Sequence, residues 1–123
     1  MTGGSRGIGK AVCIALAEEG YSVIINYVSN QSAAQEVKDI IESKGQQAEL
    51  LKFNVSDSKA VEESLNSWQE QHPEDYISVL VNNAGIRMDN VLVFMQDNQW
   101  NDVIDTTLGG FYNVTKYLVK YMM

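Results

Sequence analysis

The sequence has one cysteine, one histidine and one proline in 123 residues. A single thiol closes no disulfide within the chain, and Cys13 with His72 falls short of the four ligands of a structural zinc site. Cys13 lies inside a helical pattern, where a small buried hydrophobe is expected rather than a nucleophile. His72 precedes Pro73 in a polar connection and reads as a surface loop residue. The lone thiol suits a reducing compartment, so a cytoplasmic location is expected. No apolar run reaches the roughly 20 residues of a membrane span, and no basic-then-apolar leader is visible, so no membrane partner is expected. The N-x-S/T triplets at Asn30, Asn54 and Asn113 then read as chance matches. Positive charge is scarce as well: nine Lys and Arg stand against sixteen Asp and Glu, a net charge of −7. That balance is the reverse of a nucleic-acid-binding surface.

What is present is an ordinary globular composition, 45% apolar and 20% charged, in a chain long enough for one domain. Strand-like and helix-like stretches alternate. Ile8, Ala11, Val12, Ala15 and Leu16 recur at helical spacing until Gly20. Ser22 to Tyr27 is a short β-branched run of the kind buried on both faces. Ala33, Ala34, Val37, Ile40 and Ile41 mark a second helix that stops near Gly45. Ala48 to Val55 is extended again, and Ser56 or Asp57 can cap a helix carrying Ala60, Val61, Leu65 and Trp68. Tyr76 to Val81 reads as a further strand. The last helix runs from Trp100 almost to Met122, with Gly109-Gly110 marking either close approach by a neighbour or a kink. Alternation of this kind predicts an α/β fold, a doubly wound parallel sheet built from βαβ units.

The stretch Gly3-Gly4-Ser5-Arg6-Gly7-Ile8-Gly9-Lys10-Ala11 can be parsed in two ways. As a P-loop it needs a hydroxyl after Lys10 to hold magnesium, and position 11 is alanine. A P-loop protein also wants an apolar strand ending in Asp, whereas Ile77 to Val81 runs into Asn82-Asn83. As a G-x-x-x-G-x-G turn it lets backbone approach a pyrophosphate at a helix N-terminus. The dinucleotide reading is the one that fits. At the end of the next strand stand Asn26, Tyr27, Val28, Ser29 and Asn30, with no carboxylate to hold an adenosine ribose. Arg6 can meet a 2′-phosphate. Both features predict NADP(H).

The glycine turn together with Asn82-Asn83-Ala84-Gly85 resembles the short-chain dehydrogenase/reductase family. The stretch from Val79 through "NNAGIRMDNVLVFM" to Lys116 is similar to its 3-oxoacyl-[acyl-carrier-protein] reductases. The resemblance spans nearly all of the chain and implies a Rossmann-type fold that binds NADP(H). It implies cofactor contacts from Gly3, Gly4, Ser5, Arg6, Gly7, Ile8 and Gly9 to phosphates and ribose, and from Asn26 and Tyr27 at the next strand end. It places Asn54 and Val55 around the adenine and Asn83, Ala84 and Gly85 beside the nicotinamide ribose. Asn82 is implied to tie neighbouring strands together. The reaction implied is NADPH-dependent reduction of a 3-oxoacyl thioester on acyl-carrier protein, as in fatty-acid biosynthesis. Reductases of another ketone, or a non-catalytic dinucleotide-binding module, are the alternatives.

The family's catalytic set is a serine followed by a Y-x-x-x-K pair. Tyr112 and Lys116 match that spacing, but they follow the "NNAG" segment too closely, and no serine occurs after Ser78. They read as one-face neighbours on a helix, and the catalytic residues are expected beyond Met123. A helix position that often holds a relay asparagine corresponds to Thr107. Only Met1 and Thr2 precede the glycine turn, so residues 1–123 are expected to be a partial dinucleotide-binding domain. It would be incomplete in its central first strand and its C-terminal half, and inactive as a reductase alone. Arg87 is the candidate cation for docking an acidic carrier protein. The resemblance also implies assembly into a dimer or tetramer through the helix over 97–122, with Phe111, Leu118 and Met122 as interface residues.

Overall fold

The computed structural model describes all 123 residues. Two parallel strands, β1 (Val23–Tyr27) and β2 (Ala48–Lys52), pair in register from Val23 opposite Ala48 to Tyr27 opposite Lys52. Five helices surround them: α1 (Gly7–Glu18), α2 (Gln31–Ser43), α3 (Ser58–Gln71), α4 (Asp97–Ile104) and α5 (Gly110–Met122). A short 3₁₀ turn spans Leu92–Phe94, and a π-helical turn, Asp105–Gly109, joins α4 to α5.

The helices divide between the two faces of the sheet, as a doubly wound fold requires. On one face Cys13 and Ala17 of α1 and Ala34, Val37 and Ile41 of α2 pack on Val23, Ile25 and Tyr27. On the other, Val61 and Leu65 of α3 and Val114, Tyr117 and Leu118 of α5 enclose Phe53 and Val55. Ile25, Val37 and Ile41 are wholly buried, each contributing about 1.5–3 kcal/mol relative to an exposed side chain. Small residues on the inner face of α1 let that helix lie close to the strand. Asn30 caps α2, its Oδ1 accepting from the Ala33 N–H. Asp57 caps α3 by accepting from the Lys59 and Ala60 N–H groups. Of the two caps proposed for that helix, Asp57 is the one used.

Residues 76–81 do not form the expected strand. A strand is held by a ladder, and this segment has only one backbone bond of that kind, the Thr2 N–H donating to the Val81 carbonyl at 3.1 Å. On its other side Thr2 follows Met1, whose N donates to the Ile24 carbonyl and whose carbonyl accepts from the Asn26 N–H, both at 3.0 Å. Met1 and Thr2 therefore lie in the central slot between β1 and residues 76–81, where the sequence places the first strand of the sheet. The rest of that slot is an apolar groove of about 390 Å³ bordered by Val23, Ile24 and Ile77 to Val81.

His72 is not a free loop residue. Its backbone caps the C-terminus of α3, and its ring stacks on Trp68 with centroids 4.8 Å apart. Nδ1 lies 2.9 Å from the Trp68 carbonyl and Nε2 lies 3.0 Å from Glu49 Oε1. Trp68 Nε1 donates to the other Glu49 oxygen at 3.1 Å. The carboxylate on β2 thus fastens the end of α3 to the sheet edge. Sequence periodicity registers apolar faces and gives no sign of such a polar pin.

Close approach by a neighbour is the reading the structure supports. A π turn spans Asp105–Gly109, and Gly110 meets a neighbour: a Cβ there would stand 2.5 Å from Val55 Cγ2. Gly110→Ala is therefore expected to destabilise the protein by about 1–3 kcal/mol through overpacking. In a urea-unfolding double-mutant cycle, Val55→Ala should relieve much of that cost. Strict additivity of the two substitutions would show that α5 does not rest on Val55.

Candidate functional site

Open α/β sheets offer their ligand crevice at the carboxyl ends of the strands, and the residues singled out in the sequence meet at that end. The glycine turn leads into α1, whose N-cap residue, Arg6, has an extended backbone and makes no side-chain cap bond. No acidic side chain occupies the first turn of α1. The first N–H groups of the helix, from Gly7 on, therefore have no capping partner, at the positive end of the helix dipole. Arg6 and Ile8 are exposed beside them, and Arg6 makes no ion pair. Lys10, the other cation of the turn, is held 2.6 Å from Glu36.

Three polar side chains hold this turn. Asn26 is 3% exposed; its Oδ1 accepts from the Gly3 N–H at 3.2 Å, and its Nδ2 donates to the Phe53 and Leu51 carbonyls at 2.9 and 3.3 Å. It thus bridges the turn, β1 and the end of β2. Thr2 is also buried, and its Oγ1 accepts from the N–H groups of Asn83 and Ala84, both at 3.0 Å. Asn83 Nδ2 returns the connection, donating to the Thr2 and Gly3 carbonyls at 3.2 and 3.1 Å. This tie falls to Asn83, whereas Asn82 donates to Thr115 Oγ1 of α5 at 3.0 Å. Gly9 sits beneath the knot: a Cβ there would stand 2.0 Å from the Gly3 carbonyl oxygen, a contact no side chain can make.

Next to the knot lies a hollow of about 340 Å³ lined by Asn82 to Gly85, Val55, Gly110 and Thr107. Thr107 Oγ1 lies 3.6 Å from the position a Cβ on Gly85 would take, so the π turn brings the expected relay position to the mouth of "NNAG". Val55 is buried under Gly110, and its carbonyl accepts from Asn113 Nδ2 at 2.9 Å. Asn54 beside it is exposed, with its Oδ1 accepting from the Ser56 N–H and Oγ–H. Tyr27 is 7% exposed, so its ring belongs to the core and only the chain beyond it opens to the crevice. Ser5 is half-buried in the turn, and Gly4 is closed in by Cys13 Sγ and Ile25.

Tyr112 and Lys116 behave as helix neighbours: Nζ donates to the phenol oxygen at 3.0 Å on an exposed part of α5, outside the hollow. Cys13 is buried and its thiol is pushed up by burial, the behaviour of a core residue. Arg87, on an exposed loop, makes two hydrogen bonds to Asp89. No group of three or more His, Cys, Asp or Glu is placed to hold a metal ion, and no helix is long and apolar enough to cross a membrane.

A parallel sheet covered on both faces, with a glycine turn opening onto its carboxyl edge, defines a Rossmann-type α/β protein. The model of the short chain dehydrogenase family matches residues 1–123, and the chain belongs to that family. It is 39% identical to the 3-oxoacyl-[acyl-carrier-protein] reductase FabG of Staphylococcus epidermidis, over all of this chain and 50% of that protein. It is 37% identical to the protein of the same name from Escherichia coli, over all of this chain and 48% of its relative. Among solved structures, an Agrobacterium tumefaciens protein provisionally designated a gluconate dehydrogenase superposes with a TM-score of 0.92 at 30% identity. That match covers 98% of this chain and 47% of the other. The chain spans about half the length of these relatives.

Thr2 was not among the residues singled out in the sequence, although it directly precedes the glycine turn. Thr2→Val keeps its shape and removes the acceptor for two backbone N–H groups, an expected loss of about 1–3 kcal/mol. Amide exchange at Asn83 and Ala84 should accelerate well beyond that of the α2 core; unchanged exchange there would show that Thr2 Oγ1 does not hold the loop.

Proposed function

We propose that residues 1–123 are the NADP(H)-binding part of a short-chain reductase of about twice this length. It reduces 3-oxoacyl thioesters carried on acyl-carrier protein, in fatty-acid biosynthesis in the cytoplasm. The observation that carries the cofactor reading is the uncapped N-terminus of α1 behind the glycine turn, with Arg6 free beside it and no carboxylate between Tyr27 and Asn30. A pyrophosphate placed there would be met by backbone N–H groups and a helix dipole. An adenosine 2′-phosphate would meet the guanidinium without opposing charge. Gly3 to Gly9 would line the phosphates, the chain beyond Tyr27 the adenosine ribose, and Asn54 with Val55 the base. Asn83 to Gly85 would lie beside the nicotinamide ribose. Asn26 and Asn83 would serve by holding this frame, with Asn82 anchored to Thr115 of α5. The substrate reading rests on the two FabG relatives.

Reduction of a ketone needs a hydride donor and a proton donor for the developing alkoxide. The nicotinamide supplies the hydride when bound. The proton donor, with the serine and lysine of the catalytic set, is assigned to residues beyond Met123. Within this chain Thr107 Oγ1 stands close to Gly85 in the hollow and would hold a relay water there. Assembly into a dimer or tetramer is assigned to the 97–122 segment, whose exposed apolar residues include Leu108, Phe111, Val119 and Met122. Leu118, anticipated as an interface residue, is buried against α3 and the end of β2 and cannot take part.

Fluorescence titration should show NADPH binding at least tenfold tighter than NADH. Arg6→Ala should remove most of that difference while leaving NADH affinity within about threefold, the signature of a lost 2′-phosphate contact. An NADH preference, or an Arg6 substitution that weakens both cofactors equally, would overturn the NADP(H) reading. For the full-length reductase, NADPH oxidation should depend on a 3-oxoacyl thioester. Oxidation driven by sugar or steroid ketones but not by the thioester would overturn the substrate assignment.

A further inference from the structure

Outside the hollow, a cluster of polar side chains joins the end of α5 to α3. Tyr117 is buried at that contact, and its hydroxyl donates to Asn66 Oδ1 of α3. Tyr121, one turn further along α5, is 44% exposed, and its phenol oxygen lies 3.4 Å from the Tyr117 hydroxyl. The two rings tilt together with centroids 5.5 Å apart. The Lys120 ammonium stands over both, 4.3 Å from the Tyr117 centroid and 4.8 Å from that of Tyr121.

A phenol has one proton to give, whereas an amide can give or accept. With both phenols neutral, the bonds run from Tyr121 to Tyr117 to Asn66 Oδ1. Once Tyr121 loses its proton, the Tyr117 hydroxyl can turn and donate to the oxyanion. Asn66, whose Nδ2 makes no other bond in the protein, can then turn its amide and donate to Tyr117. The reversed chain ends on the anion, with Lys120 beside it. The two phenols are driven apart accordingly. Burial first, then Tyr121, Glu62 and Glu70, pushes Tyr117 up. The bond from Tyr117, with Lys120, draws Tyr121 down against its desolvation and Glu62.

We propose that Tyr121 is a nucleophilic tyrosine, a surface phenol that acylating electrophiles modify ahead of equally exposed tyrosines, with Tyr117, Asn66 and Lys120 as its positioning residues. In the modification the phenolate oxygen bonds to the acyl carbon as the bond from that carbon to the leaving group breaks. The leaving group takes a proton from solvent, and nothing is oxidised or reduced.

Timed treatment of the protein with N-acetylimidazole tests this, with peptide mass spectrometry locating each acetyl group. Hydroxylamine removes acetyl from phenols and leaves it on amines, so Tyr121 and Lys120 are read separately. Tyr21 matches Tyr121 at 44% exposure and Tyr76 exceeds it at 74%, so exposure alone would put Tyr76 first. Tyr121 is expected to react about fivefold faster than Tyr21, with a rate that begins to rise at lower pH. Tyr117→Phe, Asn66→Asp (which accepts but cannot donate) and Lys120→Gln should each slow Tyr121 by about threefold. Each should also move its pH profile toward that of Tyr21, and leave Tyr21 itself unchanged. Lys120→Arg keeps a cation over the rings and should retain the native rate. A native Tyr121 rate no greater than that of Tyr21 would overturn the inference. So would an advantage that survives Lys120→Gln and Asn66→Asp, two substitutions outside the core that decide the matter even where Tyr117→Phe disturbs the fold.

Discussion

The rest of the structure depends on a small knot of buried hydrogen bonds in which Thr2, Gly3, Asn26 and Asn83 are tied to one another. Its members come from the start of the chain, from β1 and from the segment that follows residues 76–81. Each buried side-chain nitrogen and oxygen in the knot has a partner, which matters because an orphaned group would cost more than a paired one contributes. Asn26 sits in an otherwise apolar run, a costly position for an amide unless all its hydrogen-bonding capacity is used. Here it spans the turn and two strands at once. The knot sets where the glycine turn stands, and so where the N-terminus of α1 points.

Packing follows from the same constraint. Because Gly3 is tied down and Gly9 lies against its carbonyl, α1 starts close to the sheet, and only small residues such as Cys13 and Ala17 fit beneath it. The opposite face reaches the same closeness by another route. Gly110 lets α5 rest on Val55, and the five-residue π turn before it takes up the change of register from α4. π turns of this kind recur where a helix must place one side chain off the regular spacing; here that side chain is Thr107, brought over Gly85.

Much of this was legible in the sequence, and what was not shares a cause. The α/β alternation, the order of helices and the glycine turn are written in apolar spacing and in glycine position, which are local properties. Residues 76–81 have the spacing of a strand, but strand formation is a property of pairs, and one bond from Thr2 does not make a ladder. His72, Thr2 and the inward role of Asn26 were out of reach because each depends on partners distant in sequence: Glu49, Asn83, and Gly3 with Phe53. Leu118 was placed at an interface by the resemblance, whereas the helix turns it into the core with Phe53 and Val55. Family resemblance assigned the strand tie to Asn82, whereas Asn83 makes the bonds to Thr2 and Gly3 and Asn82 bonds to Thr115.

Tyr112 and Lys116 show how geometry separates a motif from a site. The pair has the hydrogen bond and the cation over the ring that the spacing promises, with Nζ 5.1 Å from the ring centroid. Catalysis at a carbonyl needs the phenol within reach of the bound ketone, which must itself lie against the nicotinamide. In the proposed reading Asn83 to Gly85 and Thr107 border that end of the hollow, and the Tyr112 ring is on an exposed part of α5 outside it. The i, i+4 spacing on a helix guarantees that two side chains meet each other and says nothing about what else they meet. The residues of this chain with a claim on the chemistry are those bordering the hollow, and the part proposed for them is to place a cofactor.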